Sequence, residues 1–363
     1  MIEAMNARIL PGDDPEALAA AADAIRAGDP VAFPTETVYG LGANALDPLA
    51  VARVFEAKDR PSFDPLIVHI AAVGELKRYA DPGDLVDPRV ERLAARFWPG
   101  PLTLVLRKRA LIPGIVTAGL DTVGLRVPDH PVALRLIAAS GRPIAAPSAN
   151  RFGGLSPTRA EHVQRQLGDR IGLILDGGPT RIGVESTVVL LAGGRRTLLR
   201  PGGLPVEEIE AEIGPLEVEP GAALADDARG RHAHEQPARS PGRMTAHYAP
   251  GVPLVIVPPE IPVAVAPGER VGLLAASAAG RERAEALGAR FAAVEVPAPD
   301  GDPLPLAAGL FEALHRLDAA ELDRIVAQPV PEVGLGRAIM DRLRRAAAGS
   351  DSSGTGGAGQ PKR

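Results

Sequence analysis

Short apolar segments alternate with amphipathic ones along most of this 363-residue chain, and this alternation constrains its fold more than any other feature. Residues 14–27 have the periodicity of an amphipathic helix that ends at Gly28, and the apolar run 30–33 is typical of a buried strand. Similar helix and strand signals succeed one another to about residue 210. The sequence therefore predicts an α/β domain in this part of the chain.

A second series of alternating signals begins near residue 251. Its strand and helix signals follow in this order: strands at 254–257 and 271–275, a helix at 281–287, a strand at 291–296, a helix at 306–317 and a strand at 324–327. This order predicts a smaller Rossmann-like, doubly wound α/β domain.

The two series are joined by a segment of different composition. Residues 214–242 are rich in Pro, Ala, Gly and Arg and lack apolar periodicity, which is typical of an interdomain linker. The last residues are rich in Gly and Ser, which predicts a disordered tail. We therefore predict a first domain at 1–213, a linker at 214–250, a second domain at 251–347 and a tail at 348–363.

Composition excludes several kinds of chemistry. The chain has no cysteine, so it can form neither a disulfide nor a thiolate metal site, and it has no cysteine nucleophile. No stretch approaches the roughly 20 apolar residues of a membrane span, and the first residues lack a signal-peptide pattern, so we expect a cytoplasmic protein without a membrane partner. A net charge of -5 argues against indiscriminate nucleic-acid binding but is compatible with a local basic cleft.

Polar side chains follow the first buried strand, in the segment PTETVYGLG at residues 34–42. Ligand sites of α/β folds commonly lie at the carboxyl ends of strands, so Thr35 and its neighbours are candidates for a binding site. A strand-ending turn with an N-capping threonine explains the same residues equally well. The segment is neither a Walker A loop nor a GxGxxG motif.

Two cations separated by one residue, Lys58 and Arg60, follow a predicted helix at 50–58, and His69 ends the next apolar strand. Basic residues at a helix C-terminus often only complement the helix dipole. The alternative is a phosphate clamp, in which arginine supplies a planar fork and lysine a compact charge. His69 alone is compatible with either a core histidine or a functional one.

Hydroxyl and amide side chains are clustered after two further strand signals. One cluster is PSAN at 147–150, with Ser156 soon after it, and the other is GVEST at 183–187, with Arg200 on the strand that follows. Such groups often form turns, but they also donate to phosphate or ribose oxygens. Together the polar clusters predict one cleft. The sequence has no HExxH, no GxSxG and no cation-binding aspartate loop, so zinc and serine hydrolysis are poorly supported.

Taken in order, the motifs resemble the YrdC-like family of threonylcarbamoyl-AMP synthases in its long, two-domain form. Between residues 31 and 203 the resemblance lies in PTETVYGLG, KDRPSFDPLIVH, FWPGPLT, TAGLDTVGLRVPDHPVA, PIAAPSAN, SPT, DGG, GVESTVV and LLRPG. SPGRMTAHYAP at 240–250 and GLGRAIM at 334–340 extend it over nearly the whole folded chain. The resemblance implies a twisted mixed sheet with helices for the first domain, which would be the catalytic one.

The resemblance implies a nucleotidyltransferase that converts L-threonine, bicarbonate and ATP into L-threonylcarbamoyl-AMP and pyrophosphate. The product would serve N6-threonylcarbamoyladenosine formation at position 37 of tRNAs that read ANN codons. A carbamate made from threonine would attack the α-phosphorus of ATP, so catalysis would rest on proximity and electrostatic stabilisation. Mg²⁺ is implied by the ATP chemistry, although the sequence shows no dedicated cage. Implied partners are the downstream tRNA threonylcarbamoyl transferase machinery and, weakly, RNA.

The resemblance also implies roles for individual residues. Lys58 and Arg60 would contact the triphosphate and the bicarbonate-derived group and would be the catalytic pair. The residues implied on the threonine and carbamate side are Thr35, His69, Thr117, Arg126 and Ser186. Those implied at the nucleotide, besides the catalytic pair, are Ser148, Asn150, Ser156 and Arg200.

The segment that ends in His247 and Tyr248 resembles the family's interdomain lid, which would shield a labile adenylate from water. The sequence departs from the commoner SPGMKYxHY form, because Arg-Met-Thr at 243–245 replaces its Met, Lys and Tyr. Asp341 stands where asparagine is usual in the C-terminal motif. We predict an exposed helix there, on which the change would matter little.

Two other functions are open at the level of the sequence. The main alternative is a double-stranded RNA-binding module without this catalysis, since YrdC-like domains have a concave basic surface; the acidic net charge and few aromatic residues weaken it. The second is a carbamoyl transferase of the hydrogenase-maturation type. That system carries zinc-finger modules, which a chain without cysteine cannot supply.

Overall fold

The structure is a computed structural model that describes residues 6–61, 63–218 and 247–351. Over these ranges the chain forms two α/β units, each built on its own sheet. Most of the predicted linker, including the 240–246 part of the lid motif, lies outside the described residues. The same is true of most of the predicted tail.

The larger sheet has eleven strands among the described residues. They are β1 (Arg8–Pro11), β2 (Val31–Phe33), β3 (Gly40–Asn44), β4 (Ile67–His69), β5 (Leu102–Arg107), β6 (Thr122–Arg126), β7 (Ile144–Ala145), β8 (Leu173–Asp176), β9 (Thr187–Leu190), β10 (Thr197–Arg200) and β11 (Glu217–Val218). Their spatial order is β1-β8-β2-β3-β7-β4-β6-β5-β9-β10-β11, with parallel and antiparallel neighbours mixed. The predicted mixed α/β sheet is confirmed.

Most helices of the first unit begin at a residue whose side chain caps the first helical amides. The helices are α1 (Pro15–Ala27), α2 (Pro48–Lys58), α3 (Leu76–Tyr79), α4 (Pro82–Leu85), α5 (Pro88–Phe97), α6 (Pro131–Ser140), α7 (Ala160–Leu167) and α8 (Val206–Ile213). At the start of α1 the Asp14 carboxylate accepts from the amide of Glu16 at 3.1 Å, and proline takes the first helical position. The helix ends at Gly28, whose φ of 88° is costly for residues with a Cβ.

The second unit is a smaller, fully parallel sheet with its own helices. Its elements are β12 (Leu254–Ile256), β13 (Val271–Leu274), α9 (Ala278–Ala286), β14 (Ala293–Glu295), α10 (Pro303–Asp318), β15 (Arg324–Ala327) and α11 (Gly336–Asp351). The strand order is β12-β15-β13-β14. Parallel strands separated by helices confirm the predicted smaller α/β domain.

The two units share a hydrophobic cluster. Phe311 and Leu310 on α10 and Ile339 on α11 are buried against Val38 and Val184 of the first unit. Because Val38 and Val184 follow or precede strands of the large sheet, the second unit covers the sheet edge at which the polar motifs lie.

Four local predictions are wrong. The segment 40–44 is strand β3 and not a turn, since its glycines allow close packing of neighbouring strands. The two-residue strand β11 lies inside the predicted linker and pairs with β10. Helix α11 runs to Asp351, past the predicted start of the tail. The α11 face that carries Asp341 is buried and not exposed, because it packs on the first unit.

Candidate active site

A cleft of about 50 Å³ lies at the edge of the large sheet where several strands end. The residues singled out from the sequence that line it are Thr35, Arg60, His69, Arg126, Ser148, Ser186, Arg200, His247 and Tyr248. They come from segments that are up to 213 residues apart in the chain, between Thr35 and Tyr248. The fold therefore brings most of the predicted site residues into one place.

Arg60 is a buried wall residue of this cleft. Its guanidinium lies 2.8 Å from the Asp64 carboxylate and donates to the backbone oxygens of Asp64 and Pro65 at 3.3 and 3.1 Å. Only about 3% of the Arg60 side chain is exposed, so it is not a solvated partner of the helix dipole. Asp64 fixes the direction in which this cation points.

Lys58 lies behind the cleft lining. Its ammonium donates to the backbone oxygen of Ser148 at 2.6 Å and to that of Asn150. Burial, reinforced by the nearby charge of Arg60, lowers the pKa of Lys58 well below its ordinary value. In this arrangement Lys58 holds the PSAN loop in place.

The PSAN loop is stabilised by its own polar side chains. The Ser148 hydroxyl donates to the side-chain oxygen of Asn150 at 2.5 Å, and the Asn150 amide donates to the backbone oxygens of Arg151 and Gly154 at 2.7 and 2.8 Å. Asn150 thus forms the loop, as the turn interpretation predicted, and Ser148 is the member of this loop that lines the cleft.

Thr35 forms the turn that follows β2. Its hydroxyl accepts from the amides of Thr37 and Val38 at 3.2 and 3.3 Å and donates to the backbone oxygen of Val38 at 2.7 Å. The turn interpretation and the site interpretation are both compatible with this geometry, because the same hydroxyl also faces the cleft.

His69 and Arg126 are register partners at the ends of β4 and β6. Arg126 contacts the Glu36 carboxylate at 2.7 Å and donates to the Thr37 hydroxyl at 3.0 Å. Burial and the positive charge of Arg126 lower the pKa of His69 to about 3. At neutral pH the cleft therefore presents a neutral imidazole beside a fixed cation.

Ser186 and Arg200 occupy the ends of neighbouring antiparallel strands. Arg200 donates to the backbone oxygen of Ser186 at 2.9 Å and to its hydroxyl at 3.3 Å. The Ser186 hydroxyl also lies 2.8 Å from that of Thr103. Both residues line the cleft, so they add a cation and a hydroxyl to its wall.

Besides Lys58 and Asn150, two further predicted residues lie outside the cleft lining. Ser156 is fully buried and donates to the Glu185 carboxylate at 2.5 Å. Thr117 lines a separate, smaller pocket with Thr103, and its hydroxyl donates to the backbone oxygen of Leu120 at 2.8 Å. Ser156 therefore acts on the cleft through Glu185, whereas the structure does not bring Thr117 to it.

His247 and Tyr248 of the predicted lid line the cleft. Tyr248 is buried with a φ of 62°, and the His247 ring lies against it at 4.1 Å between centroids. The His247 amide donates to the backbone oxygen of Arg345 at 3.2 Å, so α11 helps to hold the lid. Burial and the charges of Arg60 and Lys58 lower the pKa of His247 well below its ordinary value.

Sequence reasoning did not assign roles to Glu36, Asp64, Glu185 and Arg342, which are all buried beside the cleft. Their contacts join residues distant in the chain, except for the pair that Arg60 forms with Asp64. One signal could have found two of them, because Glu36 and Glu185 lie inside the motifs PTETVYGLG and GVESTVV.

The carboxylates near the cleft do not fit a magnesium cage. Glu36, Asp64 and Glu185 each contact an arginine, at 2.7, 2.8 and 2.6 Å. No group of three or more metal-binding side chains occurs among residues 6–61, 63–218 and 247–351. In the part of the chain that the structure describes, no helix is both long and apolar enough to cross a membrane.

Fold and cleft together define a two-domain α/β enzyme whose basic site is covered by the junction with its second domain. A family model described as "Telomere recombination" matches residues 23–202, and one described as "Threonylcarbamoyl-AMP synthase, C-terminal domain" matches residues 204–348. The chain belongs to the family of threonylcarbamoyl-AMP synthases.

Individual relatives agree with this assignment over the full length. The threonylcarbamoyl-AMP synthase of Bacillus subtilis is 48% identical over 349 residues, which is 93% of this chain and 94% of that protein. The one from Pyrococcus abyssi is 45% identical over 90% of this chain and 92% of that protein. A crystal structure of P. abyssi Sua5 with L-threonine is 42% identical, with a TM-score of 0.79 over 92% of this chain and 94% of that one.

Proposed function

We propose that this chain catalyses the formation of L-threonylcarbamoyl-AMP and pyrophosphate from L-threonine, bicarbonate and ATP. A similar protein, P. abyssi Sua5, has been crystallised with L-threonine, and the B. subtilis relative bears the name of this activity. The product would be used for threonylcarbamoylation of adenosine 37 in tRNAs that read ANN codons.

The observation that carries this proposal is the convergence of Arg60, Arg126 and Arg200 on one buried cleft. Each arginine is held by protein contacts, so the positive charges are in place before substrate arrives. Preorganised charge of this kind stabilises a pentavalent phosphorus and a departing pyrophosphate without reorganisation during the reaction. The reaction needs no protein nucleophile, because the threonine carbamate attacks the α-phosphorus directly.

The other residues of the cleft, with two of these arginines, support binding of the amino acid and the nucleotide. We assign Thr35, His69, Arg126 and Ser186 to threonine and its carbamate, and Ser148 and Arg200 to the nucleotide. Asn150 and Ser156 act there indirectly, by shaping the PSAN loop and by holding Glu185. The predicted role of Thr117 would require a rearrangement that brings it from its separate pocket.

The small volume of the cleft sets a condition on the binding of ATP. About 50 Å³ is far less than the roughly 300–1,000 Å³ of pockets that hold drug-sized ligands. ATP therefore enters only after His247 and Tyr248 move outward. The structure described here corresponds, on this proposal, to the closed lid, which keeps water from the adenylate.

Magnesium and the downstream partners complete the proposal. The carboxylates beside the cleft are engaged with arginines, so we derive no step through a protein-bound metal. Mg²⁺ would be carried in by the ATP phosphates. Transfer to tRNA would be carried out by separate machinery, and any RNA binding by this chain would be weak.

Pyrophosphate release from ATP tests the proposal. The purified chain is assayed with Mg²⁺ while L-threonine and bicarbonate are added or omitted in all four combinations, and a Mg²⁺-free reaction is run beside them. Release that requires both substrates is expected. Release that is equal without threonine, or no release at all, would overturn the proposal, and binding of double-stranded RNA would then be measured.

A further inference from the structure

Glu185 in the cleft wall is engaged through both of its carboxylate oxygens. One accepts from the Ser156 hydroxyl at 2.5 Å, and the other accepts from the Arg342 guanidinium at 2.6 Å. Ser156 belongs to the first unit, but Arg342 lies on α11 of the second unit, 157 residues after Glu185 in the chain. The Arg342 side chain is fully buried. Glu185, a residue of the cleft wall, thus forms an ion pair with an arginine of the second domain.

The same arginine contacts two more parts of the site. It donates to the backbone oxygen of Pro201, next to Arg200, at 3.1 Å. Its guanidinium carbon lies 5.1 Å from the ring centroid of Tyr248, within the range of a cation–π contact. Arg342 therefore joins the segment before β9 that carries Glu185, the loop after β10 and Tyr248 of the predicted lid.

Asp341 fixes Arg342 from the side of α11. The Asp341 carboxylate contacts Arg342 at 2.5 Å and accepts from Arg345 at 3.0 Å. Arg345 in turn accepts the His247 amide at its backbone oxygen. One turn of α11 therefore holds both lid residues, which explains why the aspartate at 341 is buried.

The charge of Glu185 matters for a cleft that receives a triphosphate. Burial opposes ionisation, but the charges of Arg342 and Arg200 and the hydrogen bond from Ser156 outweigh it and hold the pKa of Glu185 below its ordinary value. An ionised carboxylate in a low-dielectric wall repels phosphate strongly unless a cation neutralises it. Arg342 is the cation in direct contact with it.

We propose that Arg342 is a positioning residue of the cleft, which neutralises Glu185 and holds Tyr248, so that the second domain sets the affinity of the site for ATP. The inference rests on the proposed function for the identity of the nucleotide. It adds that the second domain is part of the catalytic apparatus and not only a partner in folding.

A double-mutant cycle that neutralises Arg342 and Glu185, singly and together, tests this inference. The variants are Arg342→Met, Glu185→Gln and the two combined, each assayed for the KM for ATP and for kcat. We expect Arg342→Met to raise the KM for ATP about 10-fold or more, because Glu185 then loses the guanidinium that contacts its carboxylate. Glu185→Gln should lower this KM, and the double variant should return to within about 3-fold of wild type.

A pH series separates the charge effect from a merely structural one. In Arg342→Met, lowering the pH from 8 to 6 should recover part of the ATP affinity, because Glu185 without its counter-ion becomes protonated more readily. The double variant should show no such recovery. If the double variant is as impaired as Arg342→Met, or if the pH response is the same in both, the inference is overturned.

The matched control is Arg337→Met on the same helix. Arg337 also forms an ion pair with the first unit, 3.1 Å from Glu207, but that pair is exposed and neither residue lines the cleft. The KM of Arg337→Met for ATP should stay within about 2-fold of wild type.

If thermal unfolding shows that Arg342→Met does not fold, the neutral double variant and Arg342→Lys test the inference instead. Wild-type affinity in the double variant, together with a KM in Arg342→Lys close to that of wild type because lysine keeps the positive charge, would support the inference. Any other pair of results would overturn it.

Direct ATP binding, measured by titration calorimetry on the same variants, distinguishes the inference from the proposed function. A wild-type chain that binds ATP but releases no threonine-dependent pyrophosphate would overturn the proposed function, and the affinity series would still decide the role of Arg342. A wild-type chain that does not bind ATP would overturn both.

Discussion

Ion pairs beside the cleft and ion pairs at the outer rim of the domain interface use the same residue types in different surroundings. Arg60 and Asp64 are about 3% and 1% exposed, whereas Arg337 and Glu207 are about 45% and 41% exposed. A buried partner cannot be removed without leaving an uncompensated charge, whereas an exposed one is replaced by water. The comparison indicates that the buried pairs fix the direction of cleft cations and that the rim pairs contribute little.

The largest expected effect is on stability, from Asp64→Asn. The change leaves Arg60 buried without its counter-charge and should lower the free energy of unfolding by about 3–5 kcal/mol. Urea unfolding measures the loss. Asp29→Asn removes the partner of Arg53 from an exposed pair and serves as the control, with an expected change below about 1 kcal/mol. Equal losses in the two variants would contradict the comparison.

Arg60→Ala should have the largest effect on catalysis. Loss of one preorganised cation is expected to reduce pyrophosphate release by about 10²- to 10³-fold. Because the single variant leaves Asp64 unpaired, Arg60→Ala combined with Asp64→Asn is assayed beside it, and the activity should stay low although the buried charge is gone. Unchanged turnover in both Arg60→Ala and Lys58→Ala would remove the phosphate clamp from the proposed function.

A histidine pair at the interface predicts a pH dependence of stability. His162 and His315 stack with centroids 3.8 Å apart, and His315 lies 3.1 Å from the backbone oxygen of Ser156. Burial lowers the pKa of His315 to about 4, and burial with the charge of its neighbour lowers that of His162 to about 3. Both are therefore neutral in the folded chain at pH 7.

The sign of this dependence follows from the depressed pKa values. The unfolded chain binds protons near pH 6.5 and the folded one does not, so stability is full above pH 6.5 and falls as the pH drops toward 4. At about 1.4 kcal/mol per pKa unit, His315 alone accounts for about 3 kcal/mol. Urea unfolding at several pH values measures the fall, and His315→Gln should make it shallower; an equal slope would contradict the assignment.

The smallest expected effect is that of Arg337→Ala. The exposed contact with Glu207 should contribute less than about 1 kcal/mol to stability, and high salt should erase even that. Thermal unfolding in low and high salt measures it. A loss as large as that of Asp64→Asn would mean that exposure does not separate the two groups of ion pairs.

Local signals allowed the sequence to predict many helices. The end of α1 at Gly28 was predicted correctly, since a glycine cap acts within one turn. Strand β3 was missed because its glycines are typical of turns. Gly42 is required for packing, as a Cβ there would lie 2.5 Å from Ile144 and 2.6 Å from Phe33. That constraint exists only once the sheet has formed.

The site was predictable as a set of motifs but not as a set of contacts. Motif order placed Arg60 and Arg126 in one cleft. It could not predict that Lys58 binds the backbone of the PSAN loop, or that Asp341 is buried. Contacts such as that between Glu185 and Arg342 join separate domains, and no sequence periodicity in either segment indicates them.

Trp98 places the tryptophan fluorescence of the chain in the first unit. It is the only tryptophan of the chain, and its indole is buried in the first unit, where it donates to the backbone oxygen of Leu102 at 2.7 Å. Tryptophan fluorescence therefore reports the unfolding of the first unit alone, while far-ultraviolet circular dichroism reports both. Overlapping transitions would show that the two domains unfold as one cooperative unit, and separated ones would give each domain its own midpoint.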